Sequence, residues 1–151
     1  MDKYAHEMQS GESYAPLKFI VTPDLNQQFL FAVEDFNPLY LLSANGKPPI
    51  VHPVLLLHMS PRTRSPSYRQ ALGMGSAFAR DRSTYLSPAY EGREYEVTWI
   101  VTRTYEQRDK IYQDYVAEIR DFGGQIILRR ELASTFFSMG KVKTFALGAE
   151  R

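Results

Sequence analysis

PVLLLHM, residues 53–59, closes the longest apolar run in the chain, Ile50 to Met59. Drawn as a helix, these residues are apolar on nearly every face, and such a helix wants burial on all sides. Pro53 suits the first helical position, where the missing N–H costs nothing, and Pro61 limits continuation. His52, Pro53 and His58 interrupt the run, which is far too short to span a bilayer. Something else in the chain has to wrap this segment.

The wrapping material lies downstream. From Ala77 onward the pattern turns strand-like. Tyr95, Val97, Trp99 and Val101 alternate with Glu96, Thr98 and Ile100. Ile111 to Arg120 continues in β-type residues, Asp121-Phe122-Gly123-Gly124 reads as a hairpin turn, and Gln125 to Phe137 reads as a third long strand. Long strands joined by short turns make an antiparallel meander, and strands of this length bend to pack around something. The one helix that asks for burial precedes them.

Upstream, residues 1–16 show no sustained period and read as a flexible arm. Leu17 to Val21 is a short strand. Thr22-Pro23-Asp24 opens a helix, with Thr22 as N-cap, Pro23 at the first position and Asp24 complementing the dipole. Leu25, Phe29 and Val33 recur at helical spacing, and the helix stops before Pro38. Asn45 to Pro49 is a loop by composition. The expectation is a single α+β domain over 17–140, a long bent antiparallel sheet around a central helix, with a tail over 141–151.

Composition narrows the function classes. The chain has 151 residues, 44% hydrophobic and 23% charged, with ten Tyr and nine Phe. A net charge of +1 gives no electrostatic reason to expect nucleic acid or an anionic membrane as partner. The absence of cysteine excludes disulfides, thiolate catalysis and cysteine-ligated metals, and fits a cytoplasmic location. The polar N-terminus lacks the apolar core of a signal peptide. Three scattered histidines give no metal-ligand spacing, and no Gly-rich phosphate loop is present. No cofactor is expected.

Three stretches resemble the MaoC-like hydratases and dehydratases. FIVTPDLNQQFLFAVEDFNPLY (19–40) resembles their opening helix and D-x-N-P-x-H loop. PPIVHPVLLLHMSPRTRSPSY (48–68) resembles their central helix. Residues 75–137, with a P-x-x-x-G turn at Pro88 to Gly92, resemble their sheet. The resemblance implies the hot-dog fold and reversible addition of water across the double bond of an enoyl thioester. That chemistry uses a carboxylate and an imidazole on one rigid loop. A helix N-terminus polarises the thioester carbonyl.

Carried onto this chain, the resemblance makes Asp35 the leading acid/base, and Asn37 and Pro38 match the next motif positions. Two departures stand out. Tyr40 replaces the loop histidine, and Phe78 stands where relatives of this branch carry a second histidine. Tyr is a poor base near neutral pH, its ordinary pKa being about 10, but it donates a hydrogen bond well. His52, at the entrance to the central helix, is the remaining candidate imidazole, paired here with Pro53. Arg62, Arg64 and Arg80, with Asn37, are candidate substrate-binding residues, the arginines for the phosphate or carboxylate of a carrier.

Each residue also has a plain structural reading. Asp35 can form an Asx-turn with Asn37, Tyr40 can be a pocket wall, His52 can be a helix-start residue, and His58 can be a satisfied core histidine. The arginines can belong to a solvated loop. Three functions follow. The first is a lyase acting on a hydroxyacyl or enoyl thioester, of coenzyme A or a carrier protein, or on a related small metabolite. The second is a repurposed pocket catalysing cyclisation, isomerisation or elimination in a biosynthetic pathway. The third is a non-catalytic subunit of a heteromeric dehydratase. All three imply a homodimer or hot-dog heterodimer.

Overall fold

The computed structural model describes residues 3–140, so the tail expected over 141–151 lies outside the described residues. The element order is β1 (Ser13–Ile20), α1 (Pro23–Val33), α2 (Pro38–Leu41), α3 (Pro53–Met59), β2 (Met74–Tyr85), β3 (Glu94–Gln107), β4 (Lys110–Asp121) and β5 (Ile126–Ser138). Single 3-10 turns lie at Ala5–Glu7 and Arg62–Arg64. The strands form one antiparallel sheet in the order β1-β3-β4-β5-β2. Among the described residues no helix is long and apolar enough to cross a membrane.

The alternation in β3 decides which face of the sheet meets α3. Tyr95, Val97, Trp99 and Val101 are all buried, and their β4 partners continue the stripe: Val97 faces Ile119, Trp99 faces Ala117, Val101 faces Tyr115. Cross-strand pairs of this kind are the unit of sheet stabilisation. Leu55, Leu56 and Met59 of α3 belong to the same core cluster. Trp99 is the deepest link, its Nε1 donating to the Ser60 carbonyl at 2.7 Å just past α3. Register shifts in β1 (Tyr14/Leu17), β2 (Phe78/Arg80) and β3 (Val101/Arg103) are irregularities of the kind that bend strands and let a sheet curl around a helix.

The C-terminal end of α3 is held by charge. Arg130 of β5 is 7% exposed. Its guanidinium donates to the Leu57 carbonyl at 3.2 Å and to Ser60 Oγ at 2.7 Å, and pairs with Asp81. A cation at a helix C-terminus satisfies the last carbonyls and complements the dipole.

The structure corrects three expectations. The arm is packed: Ala5 and Met8 are buried, and their carbonyls accept from the buried Gln113 amide at 3.0 and 3.2 Å. Gly11 and Glu12 exchange backbone bonds with Val101, so pairing begins before Ser13 rather than at Leu17. In α1 Asn26 and Leu30 are buried and Leu25 and Phe29 pack against the core as expected, while Val33 at the end of the predicted stripe is exposed. His58 is exposed, not a core histidine.

The two edges of the sheet are β1 and β2. Residues 21–73 leave one edge, cross the face that holds α3 and re-enter at the other. Every candidate catalytic residue lies in this crossing.

Candidate functional site

The turn after α1 aims Asp35. Glu34 adopts a left-handed conformation (φ 56°), and its N–H and that of Asp35 bond back to the Leu30 carbonyl. This geometry ends a helix and reverses the chain. The Asn37 N–H then donates to Asp35 Oδ1 at 3.1 Å, and the Leu39 N–H to Asn37 Oδ1 at 3.0 Å. Asn37 is thus the N-cap of α2, with Pro38 at its first position. Its Oδ1 is committed to the backbone as the cap.

His52 arrives from the other side as the N-cap of α3, 7% exposed. Its ring packs between Tyr40, with centroids 4.8 Å apart, and Phe29, at 5.1 Å. His52 Nδ1 accepts from the Val54 N–H at 3.2 Å, and Nε2 lies 3.2 Å from Asp35 Oδ2. A ring nitrogen that accepts carries no proton, so in the neutral imidazole the proton sits on Nε2 and is donated to the carboxylate. Asp35 therefore has one oxygen in an Asx-turn and the other on an imidazole N–H, while its side chain stays 41% exposed. Each side chain serves the local backbone, and the two meet as a carboxylate–imidazole pair.

Tyr40 lines an open apolar groove with Leu39, Ile50, Pro53, Tyr85 and Leu86. Tyr85 closes one side, its hydroxyl donating to the Pro53 carbonyl at 2.9 Å. Among the described residues the Tyr40 hydroxyl makes no hydrogen bond. The helix N-terminus beside the groove offers no free donor. Pro53 has no N–H, the Val54 N–H is taken by Nδ1, and those of Leu55 and Leu56 bond to the His52 carbonyl at 3.0 and 3.3 Å. This corrects the expectation that α3 polarises a substrate carbonyl.

The three arginines lie elsewhere. Arg62, 4% exposed, donates to the Tyr115 hydroxyl at 3.0 Å beyond the C-terminal end of α3. Phe136, Tyr115, Tyr68 and Phe78 surround its guanidinium at 4.9 to 5.8 Å. Phe78 thus belongs to the arginine's cage rather than to the dyad. Arg64 donates to the His58 carbonyl at 3.1 Å, and Arg80, largely exposed, pairs with Asp114 of β4 at 3.6 Å across β5. None of the three lines the groove beside Tyr40. No metal-binding cluster occurs among the described residues.

The sequence reading missed Asn26 and Glu91, a buried pair directly behind His52. One signal was present: Asn26 stands four residues before Leu30, on the face of α1 that is buried.

No family model and no curated protein matches the chain. Solved structures do. The (R)-hydratase from A. caviae involved in PHA biosynthesis is 22% identical with a TM-score of 0.66, covering 86% of this chain and 98% of the other. The MaoC-like dehydratase from Rhodospirillum rubrum is 13% identical at 0.70, covering 90% and 97%. The HadBC (3R-hydroxyacyl-ACP dehydratase) complex from Mycobacterium tuberculosis is 12% identical at 0.68, covering 86% and 98%. Likeness at these identities is a likeness of fold: the chain is a hot-dog protein on the plan shared by MaoC-like dehydratases and (R)-hydratases.

Proposed function

We propose that the protein is a lyase of the hydratase/dehydratase type acting on an enoyl or hydroxyacyl thioester. The observation that carries this reading is the Asp35–His52 contact, a carboxylate met by an imidazole that packs on Tyr40, which lines an open apolar groove. The two imidazole roles differ from those the resemblance implies. With its proton on Nε2 and its Nδ1 lone pair engaged, His52 positions Asp35 rather than acting as the base itself.

Asp35 then does the proton work. In hydration its carboxylate takes a proton from water as the water oxygen bonds to the β-carbon and the electron pair moves onto the carbonyl oxygen. The resulting carboxylic acid returns that proton to the α-carbon. The Tyr40 hydroxyl is the nearby donor free to stabilise the enolate oxygen, in place of the absent helix N–H. Leu39 and Leu86 remain exposed at the groove, and β2 has an unpaired edge. A second hot-dog chain, identical or related, would cover both.

The test is Asp35→Asn assayed for hydration of short enoyl thioesters by loss of their conjugated absorbance. Turnover should fall on the order of 10²- to 10⁴-fold with the fold intact. Turnover within a few-fold of wild type would sink the mechanism. A second reading is favoured by one observation, the lack of any N–H at Pro53. An enzyme that hydrates no enoyl thioester, yet drives an Asp35-dependent elimination, isomerisation or cyclisation of another metabolite, would replace the first reading with this one.

A further inference from the structure

We infer that Asn26 and Glu91 form a positioning pair that sets the geometry of the Asp35–His52 dyad. The inference rests on the dyad being the working unit of the site, and it concerns residues that touch no ligand. Asn26 projects from α1 and is fully buried. Its Nδ2 donates to Glu91 Oε1 at 2.7 Å, to the Ile50 carbonyl at 3.2 Å and, more weakly, to the Tyr40 carbonyl at 3.4 Å. Its Oδ1 accepts the His52 N–H at 3.0 Å. One amide thus ties together the residue that packs on the imidazole, the strand leading into α3 and His52 itself.

The orientation of that amide is fixed by chemistry. Three acceptors lie on one side and one donor on the other, so only one of the two amide flips satisfies all four contacts. Glu91 makes this choice strict. It is 6% exposed, its N–H donates to the Pro49 carbonyl at 3.0 Å, and among the described residues no cation pairs with it. A carboxyl oxygen is costly to leave unbonded away from water, and Oε1 meets the Asn26 amide at 2.7 Å. A flipped Asn26 would set its oxygen against that carboxylate and its NH₂ against the His52 N–H. Glu91 therefore holds Asn26, and Asn26 holds the backbone of His52, whose ring in turn reaches Asp35.

The test reads His52 directly. The chain has three histidines, so ¹⁵N-histidine labelling gives a small set of ring signals. Wild type should show His52 as a fixed tautomer protonated on Nε2. Asn26→Asp puts two carboxylates at a 2.7 Å contact, and Glu91→Leu removes the acceptor while keeping bulk. In either variant, checked as folded by circular dichroism, His52 should lose the fixed tautomer. kcat should fall roughly tenfold to a hundredfold with KM little changed, as small misplacements of reacting groups do. The double variant Asn26→Asp/Glu91→Gln exchanges acid and amide, and should recover most of both signals. A folded Asn26→Asp or Glu91→Leu protein with the wild-type His52 tautomer overturns the inference, as does a double variant no better than Asn26→Asp. Should Asn26→Asp fail to fold, Glu91→Leu and the double variant still decide it. Failure of the hydratase reading removes the kcat comparison and leaves the tautomer readout standing.

Discussion

Replacing His52 by Ala and, separately, by Asn separates two jobs of one side chain. Both variants lose the ring contacts with Phe29 and Tyr40, each worth about 0.5–1.5 kcal/mol, and both lose the reach to Asp35. They differ in the cap. Asn is among the best N-cap residues and its Oδ1 can take the Val54 N–H that Nδ1 now accepts, whereas Ala leaves that donor unbonded at a cost of about 1 kcal/mol. His52→Asn should therefore be about 1 kcal/mol more stable than His52→Ala, a gap of roughly 2–4 °C in Tm for a chain of this size. Urea unfolding followed by the fluorescence of Trp99, the sole tryptophan and fully buried, measures the difference. Equal midpoints would refute the reasoning at its root. The imidazole would then not be capping through Nδ1, its proton would be free to sit there, and Nε2 would be available as a base.

Arg130→Met keeps the apolar stem but removes the guanidinium donors to the Leu57 carbonyl and Ser60 Oγ, which still bond to each other; a loss of about 1–3 kcal/mol in urea unfolding is expected. Arg80→Gln and Arg64→Gln should leave KM for any thioester substrate within about twofold, because neither arginine reaches the groove; a tenfold rise in KM would restore them as carrier-binding residues. Burial pushes the Tyr95 and Tyr115 hydroxyls above their ordinary range. A folded-state pKa raised above the unfolded value of about 10 gives stability that is complete below that pH and lost as pH rises through the folded value. The urea midpoint should accordingly hold level up to about pH 10 and then drop, and a level curve through pH 11 would contradict it.

Much of the architecture was legible because it rests on periodicities that the residues state openly. PVLLLHM has to be buried, and Tyr95 to Val101 alternates cleanly enough to name the inward face. The helix start at Thr22-Pro23-Asp24 came from cap chemistry, and Thr22 Oγ1 does accept the Leu25 N–H at 3.2 Å. The packed arm was not legible, since its anchor is a single glutamine, Gln113, far along the chain on β4. The face of α1 was legible through Leu25 and Phe29, but Asn26 beside them is polar and a hydropathy stripe passes over it. Asp35, His52 and Tyr40 were found as separate residues, and the structure places them in contact. The positions of the arginines were not legible, for a general reason. A cluster of charges in sequence says nothing about which side of a helix end each will take, and Arg62 was drawn into a cage of aromatic rings that no local pattern announces.

The crossing of residues 21–73 from one sheet edge to the opposite one gives the fold a tension member. The sheet is a bent bow, and the site-bearing segment is the string that joins its tips, pinned at mid-span by Trp99 and Arg130 through α3. A ligand wedged under the string at Tyr40 and Pro53 would push on β1 and β2 together. The string's attachment to both edge strands means that any change in its path is felt at the sheet's two free edges.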